Sequence, residues 1–413
     1  MHLSNYQLSI KKERSALLLL FLISFFSRIP VILIFGDTRL ENEWGVIVNN
    51  LITHNILAYN YYNESLNVFL LPTVYMPPLY AYYLYFLSFL NLGSDNYVQI
   101  ILFSQALLSS ISVIFFYKLN KIFFSEKISF YSSIFFSIIP IHLYACGQIS
   151  SASLQSFLAI IFFYLFFLFV EKKNLLSIFY LGLIAGLLIL SRGEFIAIFL
   201  LSLLLLVFFF KIQFKKIFLI FFITLITISP YLIRNIMVFD KITITKSFGY
   251  NLWKGNNPNS IVEGYPQIHE ELQKKIDLIN KDNQYGINFD NIFLEEAKKN
   301  ITENPIKYLN LYFKKFISFL FIDINSSNTN YYNPLHYIPV LILGITSIIG
   351  IILSDKKSNK MNFLIIVFFI NIAIFSCFFI LPRYKLVIIP LQIIFTNTFI
   401  DFIRRKFFYS NGQ

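Results

Sequence analysis

Three acids fall within seven residues in Gly36-Asp37-Thr38-Arg39-Leu40-Glu41-Asn42-Glu43-Trp44-Gly45, just past the first apolar run. A carboxylate held there, partly out of water and close to a substrate carried in lipid, has the chemistry of a general base and can take the proton of an attacking hydroxyl. Asp37, Glu41 and Glu43 are the candidates. Glu41 and Glu43 are two apart and would not share a helix face, so one at most should point at a reacting centre unless the segment is extended. Arg28 lies inside the apolar run itself, where an ionisable side chain is costly and a functional candidate by default. It can snorkel to the interface or pair with a carboxylate or phosphate. His142 and Cys146 are four apart in a later apolar run and do not make a metal site. His54, His269 and His336 are scattered, so the sequence calls for no metal and no cofactor.

The elements that must position such residues are set by composition. Of 413 residues, 57% are hydrophobic, 19% aromatic and only 14% charged, with a mean hydropathy of +0.65. A soluble chain needs roughly 25% charged residues to cover its surface, so a soluble enzyme, a DNA-binding protein and a secreted disulfide scaffold are excluded. The net charge of +12 reports topology rather than a nucleic-acid partner, because cations gather in the cytoplasmic loops of polytopic proteins. Cys146 and Cys377 both sit in apolar stretches and read as packing residues. The first apolar run exceeds a signal-peptide core and no small-x-small site follows it, so it reads as a retained span. Richness in Ile, Phe, Asn and Lys suggests an AT-rich genome and a bacterial plasma membrane. Asn63-Glu64-Ser65, Asn300-Ile301-Thr302 and Asn325-Ser326-Ser327 match the N-glycosylation pattern, as chance provides in so Asn-rich a chain.

Apolar runs near 16–36, 98–117, 128–147, 153–170, 175–191, 194–210, 217–235, 335–353, 361–380 and 384–402 predict about ten transmembrane helices in an all-α polytopic membrane protein. With the N-terminus cytoplasmic, every inner segment is basic, including Lys118, Lys121 and Lys127, Lys172 and Lys173, Lys356, Lys357 and Lys360, and Arg404 and Arg405. The short outer turns carry few cations, chiefly Arg192, Arg383 and Lys385, as the positive-inside rule demands. Two outer segments, 37–97 and 236–334, are too long to be mere connections and should carry function. They divide the chain into an N-terminal membrane domain over 1–235, an extracytoplasmic region over 236–334 and C-terminal membrane helices over 335–413. Within them the aromatic stretch 79–92 and the amphipathic stretch 308–321 predict interfacial helices, and 291–300 a polar one.

Several segments together resemble a known group. Glu43-Trp44-Gly45-Val46-Ile47, Asn50-Leu51-Ile52 and Pro72-Thr73-Val74-Tyr75-Met76-Pro77-Pro78-Leu79-Tyr80 are similar to the first outer loop of polyprenyl-phosphate-sugar-dependent glycosyltransferases of the GT-C fold. These are the bacterial relatives of protein O-mannosyltransferase and of the lipid A aminoarabinose transferase. Leu190-Ser191-Arg192-Gly193-Glu194 resembles the family's L-T-R-P-E turn, with Gly193 where Pro is usual. Pro230-Tyr231-Leu232-Ile233-Arg234-Asn235, then Gly249-Tyr250-Asn251-Leu252-Trp253-Lys254-Gly255-Asn256-Asn257-Pro258, then Asn304-Pro305 and Pro382-Arg383-Tyr384 follow in the family's order.

The resemblance implies transfer of a sugar from a polyprenyl phosphate to a hydroxyl acceptor of a lipid, glycan or protein, on the outer face and with inversion. The first-loop acid, commonly Asp in the family, would be Glu43 by its Trp-Gly and Asn-Leu neighbours, with Glu41 and Asp37 as fallbacks. Cations would balance the phosphate as charge develops on it. Arg234 and Arg383 are the first choices for that role, followed by Arg28, Arg192 and Lys254. Two other readings differ in class. A lipid-linked sugar flippase or exporter would place its ionisable residues near the midplane of its spans, whereas here they gather at the outer ends. A polysaccharide polymerase or ligase would share the lipid-linked donor but release a diphosphate.

Overall fold

The computed structural model describes residues 2–62, 68–90, 96–326 and 333–408. In chain order the helices are α1 His2–Phe35, α2 Glu43–His54, α3 Pro78–Ser88, α4 Tyr97–Asn120, α5 Glu126–Ile138, α6 Pro140–Cys146, α7 Ala152–Lys172, α8 Leu175–Ser191 and α9 Phe195–Phe208. They continue as α10 Phe214–Phe239, α11 Phe248–Gly255, α12 Glu270–Asp277, α13 Tyr285–Glu303, α14 Pro305–Leu320, α15 Pro334–Ile352, α16 Asn359–Ser376 and α17 Ile389–Phe408, with a 3-10 turn at Pro382–Val387. A hairpin of β1 (Ala58–Tyr62) and β2 (Val68–Pro72) is inserted between α2 and α3, paired antiparallel from Ala58↔Pro72 to Tyr62↔Val68. The protein is an all-α polytopic membrane protein with this one small sheet among the described residues.

All ten apolar runs fold as helices. Six are long and apolar enough to cross a hydrocarbon core by themselves: residues 13–35 of α1, then α4, α7, α10, α15 and α16. A seventh span results if α5 and α6, bent by 52° at their junction, are counted together. The bend has a local cause, because Ile139 precedes Pro140 and is forced into the extended region at ψ 123°. Helices α8 and α9, with 17 and 14 residues, are shorter than the ~20 that a span needs. In α8, Gly182 and Gly186 let α10 approach closely: a Cβ at Gly186 would lie 2.6 Å from Cβ of Thr227, the small-residue packing expected between helices in lipid.

The connections sort to two ends. At one, Lys121 bridges Glu13 and Glu126 at 3.0 and 3.1 Å, and Lys360 pairs with Glu171 at 2.6 Å. At the other, the two long segments pack on each other: Lys246 N–H donates to Val74 O at 2.8 Å, and the rings of Tyr61 and Tyr285 meet at 4.9 Å. The 236–334 segment has its own small core of Trp253, Leu272, Ile276, Phe293 and Ala297. The two stretches read as interfacial, 79–92 and 308–321, fold as α3 and α14. Helix α14 starts with Pro305 at its first position, where a missing N–H costs nothing, and it leaves Ile306, Leu309, Phe313 and Ile317 exposed along one stripe. Of the glycosylation patterns, 63–65 and residue 327 of the last lie outside the described residues, and Asn300 is buried in α13.

Candidate active site

The 37–42 segment is fastened to the α6–α7 junction. Asp37 N–H donates to Gly147 O at 2.7 Å, Ile149 N–H to Asp37 Oδ2 at 2.7 Å, and Asn42 Nδ2 to Ile149 O at 2.9 Å. Asn42 also accepts from Trp44 N–H at 3.1 Å, which makes it the N-cap of α2 and puts Glu43 in the first turn, where the helix dipole favours a negative charge. Trp44 is buried edge-on against Tyr80 at 4.9 Å, so the Glu43 side chain is turned outward. It faces a cleft of about 1030 Å³ lined also by Tyr75, Gln155, Arg192, Glu194, Tyr250, Lys254, Arg383 and Tyr384.

Arg192 ends α8 in an extended conformation, at φ −165°. Its guanidinium lies between two rings, 4.1 Å from Tyr384 and 4.4 Å from Phe375, and pairs with Glu194 at 3.4 Å. It is a cation already balanced by a carboxylate and two π faces. Lys254 and Arg383 differ. Lys254 Nζ stands over the Phe379 ring at 4.3 Å, Arg383 is exposed, and among the described residues neither has a carboxylate within 4.0 Å. Burial first, and then the nearby Arg383 cation, push the Lys254 ammonium below its usual range, while Glu43 across the cleft opposes them. Burial raises the hydroxyls of Tyr75 and Tyr59 too, with Glu43 among their negative neighbours, so the carboxylate looks onto a cluster of phenol rings. An acid, two cations held together without an ion pair, and a large space between them can hold an anionic group beside a hydroxyl.

The structure thus brings Glu43, Arg192, Lys254 and Arg383 to one cleft and puts the remaining candidates elsewhere. Asp37 is occupied by the Ile149 N–H, and burial holds its carboxyl above the usual range. Glu41 is 71% exposed and paired with Arg39 at 3.1 Å. Arg28 is fully buried within the bundle, where it joins three helices through Ser24 O at 2.6 Å, Ser109 Oγ at 2.9 Å and Ser137 O at 3.0 Å. Arg234 fastens the base of the hairpin to α10, donating to Thr73 O and Leu57 O at 3.1 Å each. It lines a separate cavity of about 260 Å³ with Tyr82 and Tyr231. Glu194, Tyr75, Tyr250 and Tyr384 were visible in the sequence only as members of longer motifs, without roles of their own. Gln155, within α7, carried no signal at all.

Residues 76–233 match the family model described as dolichyl-phosphate-mannose-protein mannosyltransferase. No curated protein matches the chain by sequence. Among solved structures, the archaeal oligosaccharyltransferase AglB from Archaeoglobus fulgidus, in complex with an inhibitory peptide and a dolichol-phosphate, superposes with a TM-score of 0.54 at 12% identity, covering 97% of this chain and 51% of that one. The apo form of the Archaeoglobus fulgidus oligosaccharyltransferase gives 0.55 at 13% identity, over 97% and 51%. The chain spans about half the length of these structures. At such identities the likeness is one of backbone architecture, and it is enough to state that the chain has the GT-C fold.

Proposed function

We propose that the protein is an integral-membrane glycosyltransferase that moves a sugar from a polyprenyl-phosphate donor to a hydroxyl acceptor. The observation that carries this is the pairing of Lys254 and Arg383, cations without an ion-pair partner among the described residues, with the helix-capped Glu43 across the same cleft. Glu43 takes the proton of the acceptor hydroxyl as that oxygen attacks the anomeric carbon from the face opposite the phosphate. The bond to the phosphate oxygen breaks, the configuration inverts, and the lipid phosphate leaves with the added negative charge. Lys254 and Arg383 stabilise that charge as it develops, with Arg offering the two-pronged geometry phosphate accepts. Arg192, bound to Glu194 and stacked between rings, orders the cleft wall rather than meeting the phosphate. The match of 76–233 to a dolichyl-phosphate-mannose-dependent family model and the dolichol-phosphate in the structurally similar oligosaccharyltransferase support a lipid-phosphate donor. The cleft lies at the end away from the basic connections, which on the positive-inside rule is the extracytoplasmic side of a bacterial plasma membrane.

The test is transfer of labelled sugar from a panel of polyprenyl-phosphate sugars into cell-envelope fractions by the purified protein in lipid. Glu43→Gln should lower turnover by ~10²–10⁴, the span of a lost general base, while donor binding persists, and Glu41→Gln should behave as wild type. Absence of transfer from every donor, together with movement of a lipid-linked sugar across liposome membranes, would replace the enzyme with a flippase.

A further inference from the structure

Two lysines outside the cleft are buried as completely as any apolar residue: Lys315 is 0% exposed and Lys385 is 1% exposed. Taking an ammonium out of water is costly and is offset only by well-placed acceptors, so what each one meets matters. Lys315, on the inward face of α14, donates to Gly255 O at 2.6 Å and Asn256 Oδ1 at 3.3 Å. Gly255 follows Lys254 directly. Lys385, two residues after Arg383, donates to Ser318 O at 2.6 Å and to Phe321 O, carbonyls at the C-terminal end of α14. A cation there complements the helix dipole. The same helix therefore holds the loop of one cleft cation with its own lysine and receives the lysine of the other cation's turn.

The two loops are fixed against each other as well. Asn256 Nδ2 donates to Cys377 O at 2.8 Å, and a Cβ on Gly255 would come within 2.3 Å of Phe378 O. Phe378 and Phe379 line the cleft. Lys254 and Arg383 are like charges lining one cleft, so they repel each other, and left to themselves they would move apart. Something must hold them together before an anion arrives.

We propose that Lys315 and Lys385 are positioning residues, which use α14 as a splint to hold Lys254 and Arg383 at the spacing a phosphate bridges. This rests on the donor-phosphate reading above. Neither lysine touches the substrate; Lys315 acts through the backbone of the loop it grips and Lys385 by anchoring its own turn to the end of α14, in the way that rigid supporting contacts preorganise a site.

The experiment measures binding of polyprenyl monophosphate and of the matching uncharged polyprenol to the purified full-length protein in lipid nanodiscs, for wild type, Lys315→Met and Lys385→Met. Methionine keeps the length and removes the donor. Each variant should bind the phosphate about tenfold or more weakly, a change of the size one preorganised contact commands, while polyprenol affinity stays within about twofold. In transfer assays the same variants should raise the donor KM more than they lower kcat. Equal loss of phosphate and polyprenol binding would make the lysines general supports of the fold and overturn the proposal, as would unchanged phosphate binding in both variants. Wild-type protein that binds polyprenol and its phosphate equally would overturn the donor reading itself, and this inference with it.

Discussion

The placement of Glu43 depends on its neighbour Asn42. Asn42 holds Trp44 N–H and Ile149 O at once, so it both caps α2 and pins the first turn to the α6–α7 junction. Asn42→Ala should cost ~1 kcal/mol of stability, the usual worth of an N-cap, yet lower kcat about tenfold to a hundredfold, because a displacement of an ångström at a reacting group has that effect. A thermal melt alongside a turnover assay separates the two. Lys315 offers a different test, in pH. Burial pushes its ammonium down to about 7 in the folded protein, against about 10.4 for the unfolded chain. Between those values the unfolded state binds a proton that the folded state lacks, so this group makes stability rise with pH from about 7 to about 10 and contributes no slope outside that window. Melting temperatures in lipid across the window should climb less steeply for Lys315→Met than for wild type. A slope unchanged by the substitution would assign the trend to other groups.

Among the elements, the helices were legible from sequence and the inserted pieces were not. Apolar runs report burial directly, so all ten became helices, and Pro305 and the amphipathic pattern behind it announced α14. The hairpin of β1 and β2 was invisible, because Ala58–Tyr62 and Val68–Pro72 carry no alternation strong enough to stand out in so aromatic a chain; its pairing is enforced from outside by Arg234 at its base. The same contacts hold Arg234 outside the cleft. The family resemblance implied a phosphate for it, but the carbonyls of Thr73 and Leu57, more than 150 residues away in sequence, accept its hydrogen bonds. Which of the three acids lines the cleft was hidden for a similar reason: only tertiary contacts show that Asp37 is occupied by Ile149 and Glu41 by Arg39, while Glu43 faces the cleft. The α8–α10 contact gives the prediction at this scale. Gly186→Val would force carbon into the space of Thr227, which already lies 2.6 Å from where a Cβ would stand. Overpacking of that kind costs ~1–3 kcal/mol, and because α8 leads directly into Arg192 and Glu194 the strain should lower both the melting temperature in detergent and turnover. Gly286→Ala, where a Cβ meets nothing within 4 Å, is the control and should change neither.

Over the whole molecule, the distribution of charge gives the bundle a direction. The end that holds Lys121, Glu13, Glu126, Glu171 and Lys360 also collects the basic connections, while the two long segments and the cleft occupy the other. With a net charge of +12 so unevenly placed, the positive-inside rule predicts one orientation, since cations near span ends resist translocation. The proposed function takes the cleft to face outward, which suits a donor whose sugar is presented by a lipid at the outer leaflet and an acceptor that has already been exported. Single cysteines test this directly in a Cys377→Ser background, where the remaining Cys146 is buried. Leu278, 83% exposed just beyond α12, should react with a membrane-impermeant maleimide in intact cells when changed to Cys. Lys357, exposed between α15 and α16, should react after Lys357→Cys only once the membrane is opened. The reverse pattern would turn the molecule over, place Glu43, Lys254 and Arg383 in the cytoplasm, and require a donor presented on the inner leaflet.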